Sequence, residues 1–318
     1  AAIAYAKVLH DLGKYDQSTG VANSVMEQGT TLFGTDHDAV LEAKDIIADN
    51  LTITFTGDPL SIRHEIIAAI EAGAEVTREF ELGVRAAIGI DLLIVNGMSG
   101  STTGTEALTE AEEVIKATIK ASEEELGSLH PVTVEARTCQ AMIYFQRKQI
   151  DKALAVAEQA LVDSRAVFGP GHIQTAQALT GAAFVRIFRG RNGEAVDLFL
   201  ESIEIMHNVA GEDYPPALSS QLWLANAMIH DGKLEEGEAM IREVLPKMTA
   251  AYGAHHPELL NARASLAGAL LRQGKFEDGD PLWEEAVAPM RQMAAGELGL
   301  PVIQMRMLRA IAYINNNH

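Results

Sequence analysis

The sequence has almost no cysteine: Cys139 stands alone among 318 residues. A single thiol excludes a disulfide framework and a cysteine-based metal site within the chain. It fits a reducing compartment, so a cytoplasmic location is the expectation. Basic residues are also scarce. Lys and Arg number 25 against 44 Asp and Glu, a net charge of −19. Neutralising a phosphate backbone requires a basic face, which argues against nucleic acid as a partner. An anionic membrane surface is disfavoured for the same reason. Aromatic residues make up only 5% of the chain, which suits closely packed helices better than a sheet-rich fold. No apolar run is long enough to cross a bilayer. The longest, around Ala86–Val95, is short and carries Asp91.

What the sequence does have is a period. The dipeptide Leu126-Gly127 recurs as Phe168-Gly169, Ala210-Gly211 and Tyr252-Gly253, each step 42 residues long. Three residues after each glycine comes His130, His172, Tyr214 or His256, and Pro131, Pro215 and Pro257 follow three of these four. Self-similarity at a fixed step of this length marks a repeat array. The repeats then begin at Pro131, Ile173, Pro215 and Pro257, and equivalent positions match along them. One position reads Ala141, Ala183, Ala225 and Ala267; the next reads Lys148, Gly190, Gly232 and Gly274. Further on come Ile150, Asn192, Leu234 and Phe276, then Ala153, Ala195, Gly237 and Gly279. Two more sets are Ala157, Phe199, Ile241 and Trp283, and Ala160, Ser202, Val244 and Ala286.

These choices describe a helical hairpin. Proline suits the first helical position, where its missing N–H costs nothing. Small residues let two antiparallel helices approach closely, and glycine ends the first helix and opens a tight turn. The last three sets follow the i, i+4, i+7 spacing of one buried helix face. Periodicity predicts about sixteen residues for each first helix and slightly more for each second.

The pattern extends upstream, where Phe33-Gly34 and His37 place Gly13-Lys14-Tyr15 in the turn and Ala6 at the small position. The expected organisation is one solenoid over 1–318 with repeats at 1–37 (truncated), 38–86, 87–130, 131–172, 173–214, 215–256 and 257–298. Repeat 38–86 is degenerate, with an insert near 54–63. Repeat 87–130 is degenerate too, and its Gly/Ser/Thr tract at 96–105 reads as a flexible loop. An amphipathic helix over 300–314 is expected to cap the last apolar face. The chain starts inside a repeat and without Met, so it is expected to be the C-terminal part of a longer polypeptide.

Small residues at the first position, Gly-x-aromatic at the turn and Ala at the start of the second helix resemble the tetratricopeptide repeat. The 42-residue step with its Gly-x-x-His-Pro connector resembles the kinesin light chain type, which also occurs in bacterial signalling proteins; Gly253–Pro257 with Gly274–Gly279 is the best copy. The resemblance implies an all-α, right-handed superhelical α-solenoid of antiparallel hairpins with a C-terminal capping helix. It also implies that the first helices line a concave groove. Carried over position by position, that groove takes Glu135, Thr138 and Met142, then Gln177, Thr180, Phe184 and Phe188. Next come Ser219, Leu222, Asn226 and His230, then Asn261 and Arg272. The carboxylate clamp of chaperone-binding members is absent: Asn226 is present, but Leu222 and Ser265 stand where Lys and Asn are wanted. The basic groove of cargo-binding kinesin light chains is reduced to Arg272. A mixed apolar and amide lining in an acidic chain predicts a peptide with apolar anchors and basic flanks.

Little points to chemistry. The glycines of 96–105 lack the Gly-Lys-Ser/Thr ending of a phosphate loop. His37, His130, His172 and His256 occupy the same connector position in different repeats, and packed helices about 10 Å apart would keep them from converging on one ion. Cys139 reads as a small core residue, and the acidic runs at 110–113 and 123–125 read as solvated faces. No catalytic residue, cofactor or metal is expected. The expected function is a non-enzymatic protein-protein interaction scaffold, the sensor module of a larger bacterial regulator of the kinase or winged-helix type, with protein or peptide as partner. Self-association is the alternative. A helical enzyme with its site in 50–105 is a third reading, and it would have to draw on Asp58, Arg63, His64 and Glu65.

Overall fold

The computed structural model describes residues 1–99, 102–252 and 256–293. These form fourteen α-helices and no strand: α1 (Ala2–Asp11), α2 (Tyr15–Phe33), α3 (Asp38–Thr54), α4 (Pro59–Glu71), α5 (Arg78–Ser99), α6 (Thr102–Glu125), α7 (Pro131–Gln146), α8 (Ile150–Val167), α9 (Ile173–Phe188), α10 (Asn192–Ala210), α11 (Pro215–His230), α12 (Leu234–Tyr252), α13 (Pro257–Arg272) and α14 (Phe276–Met293). The capping helix expected over 300–314 lies outside the described residues. Two compact units divide the chain, Ala1–Asn96 with Thr105–Gly169, and Gly97–Gly104 with Pro170–His318.

The four regular repeats are hairpins with the expected proportions. Helices α7, α9, α11 and α13 each span 16 residues, and their partners span 18 or 19. The alanines at 141, 183, 225 and 267 are buried, as are Ala157, Phe199, Ile241 and Trp283. The small residue that opens each second helix is required by close approach. A Cβ on Gly237 would lie 2.4 Å from Ile229 Cγ1 and 2.9 Å from the Ala225 carbonyl oxygen. At the turns Gly190, Gly232 and Gly274 have φ of 78°, 88° and 77°, and Lys148 is forced to 62° at the same position. L-residues other than Gly rarely adopt that region.

The connector histidines act on their own helices. In His37, His130, His172 and His256 the imidazole Nδ1 accepts the backbone N–H two residues on, at 3.3, 3.4, 3.1 and 3.2 Å. Each thereby satisfies one of the donors that a helix start leaves open.

The irregular part departs from the expected boundaries. The limit placed between 86 and 87 falls inside α5, which runs from Arg78 to Ser99. The hairpins there are α3 with α4, and α5 with α6. The tract expected as a loop over 96–105 is helical on both sides of residues 100 and 101, which lie outside the described residues. The reason is local. Helix α5 starts with Glu79 and Glu81 in its first turn, where acid opposes the positive end of the helix dipole, and the apolar run that follows carries it onward. The extra residues lengthen α5 and α6 to 22 and 24 residues, while α4 shrinks to 13. Arg78 ties the two long helices together by donating from Nε and Nη2 to both Glu125 oxygens, at 2.8 and 2.9 Å. The insert near 54–63 becomes a turn that Phe55 enters at φ 53°. Asp58 then caps α4 by accepting the Ser61 N–H.

Candidate functional site

In the second unit the first helices α9, α11 and α13 touch one another in sequence, besides pairing with their second helices. Ten of the thirteen residues expected to line a groove fall on these three helices. Phe184 packs its ring against Phe188, centroids 4.9 Å apart, and edge-on against Trp223, 4.7 Å apart. Phe188 is 54% exposed. Asn226 lies three residues from Trp223 on α11, a spacing that puts both on one helix side. It is half-buried, and its amide makes no hydrogen bond among the described residues. Gln177 and Asn261 are exposed.

Other expected residues are already engaged. The Thr180 hydroxyl lies 2.8 Å from Ser202 Oγ and 2.9 Å from Ser220 Oγ. The Ser219 hydroxyl donates to Glu258 and lies 3.0 Å from Tyr252 Oη. Arg272 donates from Nη1 to the Ile229 carbonyl at 2.7 Å. Burial, and then the Arg272 charge, lower the pKa of His230. Leu222 is a correction. It is 2% exposed and packs in the core with Leu218, Ile241 and Leu266, because its turn of α11 faces α12 rather than solvent. Trp223, its neighbour, is the residue that the sequence reasoning missed. The equivalent positions hold Cys139, Gly181 and Ser265, and the chain has only 2 tryptophans, so its large ring at a small-residue position was the available signal.

The other three expected residues lie on α7 in the first unit. The Thr138 hydroxyl donates to its own helix at Val134 O, 3.0 Å away, and Met142 packs on the core. Glu135 is different: it is half-buried, and it makes no hydrogen bond or ion pair among the described residues. Burial, and then the charge of Asp49, push its pKa up to about 7.

Asp49 belongs to a network that sequence reasoning did not find. Arg63, from the insert, is 1% exposed. Its Nε donates to Asp45 at 3.2 Å, its Nη1 to Asp91 and to Thr52 Oγ1, and its Nη2 to Asp49 Oδ1. Burial opposes the guanidinium charge, but Asp49, Asp45 and Asp91 hold its pKa above the ordinary value. Burial, and then Asp49, push Asp45 up to about 7 despite Arg63. Burial raises Asp91 too.

The residues considered for chemistry have structural positions. Asp58 is the α4 cap, Arg63 is held in the network, and Glu65 accepts from Lys44 at 3.2 Å; His64 is exposed. Cys139 is buried in the core, and burial pushes its thiol up to about 12, far from the thiolate that nucleophilic chemistry needs. Among the described residues no three His, Cys, Asp or Glu side chains gather to hold a metal ion, and no helix is long and apolar enough to cross a membrane.

Residues 133–208 match the tetratricopeptide repeat family. No curated protein sequence matches the chain. Solved structures do. A Podospora anserina kinesin light chain-like protein with nearly identical TPR-like repeats is 19% identical, with a TM-score of 0.52 over 69% of this chain and 98% of that one. A Rap protein complexed with competence and sporulation factor is 11% identical, with a TM-score of 0.58 over 98% of both chains. NprR in complex with its cognate peptide NprX is 13% identical, with a TM-score of 0.56 over 99% of this chain and 87% of that one. At these identities the likeness is one of fold. Residues 133–208 therefore carry tetratricopeptide repeats, and the chain has the fold of a tetratricopeptide-repeat array of the kinesin light chain-like kind.

Proposed function

We propose that the chain is a non-enzymatic scaffold that binds a peptide or a protein segment along the first-helix face of its second unit. The observation that carries this reading is an aromatic cluster beside an unanswered amide. Phe184, Phe188 and Trp223 offer a site for an apolar anchor side chain, in the way that helical grooves take one. Asn226 offers one donor pair and one acceptor with no partner among the described residues, and a peptide backbone presents the complementary groups. Exposed Gln177 and Asn261 extend the amide lining. The bound competence and sporulation factor of the Rap protein and the bound peptide of NprR favour a peptide as occupant.

In this reading the chain is the interaction or sensor module of a larger bacterial regulator of the kinase or winged-helix type, in the cytoplasm. Nucleic acid and membrane are not its partners. A pull-down from the source cell, repeated with Phe184→Ala and Asn226→Ala, tests it. Loss of the same partner in both variants is expected, and retention of every partner by both sinks the reading.

One observation favours self-association as a second reading. Tyr5 and Val8 on α1, and Leu12 just past its end, are exposed at spacings that form one helix stripe, and a second copy would cover them. Light scattering decides: a monomeric mass at all concentrations rules it out.

A further inference from the structure

Helix α1 is covered on one side only. Ala6 packs with Ala22 of α2 and with Ala43 and Ile46 of α3, whereas Tyr5 and Val8 are 57% and 51% exposed. The repeat register shows what such positions meet in other hairpins. Tyr5 corresponds to Leu224 and Leu266, each 2% exposed, and Val8 to the buried Ile143, Ala227 and Ala269. The second helix of the hairpin before does the covering. Leu224 packs with Phe199 and Ile203 of α10, and Leu266 with Ile241 and Val244 of α12. On α3 the counterpart of Val8 is Asn50, whose amide donates to Ser18 and Thr19 of α2. Charge follows the same arrangement. Gln273 and Lys275, at the turn after α13, donate to Glu238 of α12 at 2.9 and 2.8 Å. Lys14 stands at the position of Lys275, and its ammonium has no ion pair among the described residues.

We propose that this face of α1 docks an amphipathic helix of a partner polypeptide, seated as α10 seats on α11 and α12 on α13. The incoming helix sets large apolar residues against Tyr5 and Val8, spaced as Ile241 and Val244 or as Phe199 and Ile203 are. Such a pair lies on one helix side. A carboxylate three residues earlier, in the place of Glu238, meets Lys14. Burial of the apolar stripe supplies the affinity, and the ion pair fixes the register. A second copy of this chain is the competing occupant, but its own second helices are committed. Phe199, Ile241 and Trp283 are buried, so lending one of those stripes would open a core. The site lies wholly in the first unit and does not rest on the peptide face of the second.

The probe is a labelled 19-residue peptide with the sequence of Leu234–Tyr252, acetylated and amidated, titrated with the chain by fluorescence anisotropy at low salt. Saturable binding is expected. A peptide carrying Ile241→Asp and Val244→Asp is expected to bind at least about tenfold more weakly. In the chain, Val8→Glu is expected to abolish binding of the parent peptide; Val8 is exposed, so the fold tolerates the change. Val162→Glu, at an exposed apolar position of α8, is expected to preserve binding. Lys14→Glu should weaken the parent peptide about threefold, the size of an exposed ion pair, and the Glu238→Lys peptide should restore it. Phe184→Ala and Asn226→Ala are expected to leave binding intact, so the two readings fail separately. Absence of binding, equal binding of the parent and Asp-substituted peptides, or undiminished binding to Val8→Glu overturns the proposal. A dimer in light scattering that Val8→Glu dissolves would give the face to a second copy and overturn it as well. Failure of the charge exchange overturns the register assigned to the helix.

Discussion

Hairpins α11–α12 and α13–α14 close on apolar contact, whereas helices α3, α4 and α5 close on a buried guanidinium. In the first case Gly237 lies against Ile229 and Gly279 against Leu271, and the seam needs only a small residue at a fixed step. In the second, Asp45, Asp49, Arg63 and Asp91 come from three helices and meet through directional bonds. A small residue at a fixed step can be copied from repeat to repeat. A set of four charged residues cannot, because each must reach the others from a different helix. The helices that lost the repeat register are thus held by polar geometry. An ion network of that kind adds little net stability over apolar packing but is costly to break.

Three measurements sharpen the contrast. The largest effect belongs to Arg63→Ala, which strands Asp91 in the core. Chemical denaturation is expected to show a loss of about 3–5 kcal/mol, and a loss near zero would mean that the network is not closed in solution.

Next is Glu135→Gln, which is expected to stabilise. The ordinary carboxyl value of 4.5 is raised to about 7 in the folded chain, so the folded state holds the proton more tightly than the unfolded one. Stability from this group is therefore full below about 4.5 and lost as pH rises through about 7. At about 1.4 kcal/mol per unit the penalty at pH 8 is at most about 3 kcal/mol; solvent screening reduces it. Thermal melts should show the variant gaining over the parent at pH 8 and little difference at pH 4.5. A gain independent of pH would remove the charge from the explanation.

The smallest effect is Gly237→Ala on the apolar side. Its Cβ would meet Ile229 at 2.4 Å, and overpacking of this kind costs about 1–3 kcal/mol. The change should be additive with Arg63→Ala, since the two lie in different units with no shared partner.

The regular hairpins were legible because each of their determinants is local or periodic. Pro131, Pro215 and Pro257 mark helix starts, Gly190, Gly232 and Gly274 mark turns, and the alanines mark the seam. The connector histidines were legible as markers of position, but their role as caps appears only when the Nδ1 atoms meet the backbone. Of the candidate surface, Phe184, Phe188 and Asn226 were named from the repeat register alone. Leu222 was named in the same way, but its side chain turns into the seam with α12.

The limit between 86 and 87 failed for a related reason. Counting 42 residues from a fixed start distributes extra residues by arithmetic, whereas the apolar face of α5 extends the helix wherever burial continues. The sequence by itself determined the helical class, the hairpin unit and the small-residue seam, since these depend on spacing along one chain and one helix face. Only the tertiary structure decided that Arg63 is buried among Asp45, Asp49 and Asp91. Those residues are up to 46 positions apart in the chain, and no local pattern encodes which charges meet when helices from different hairpins pack.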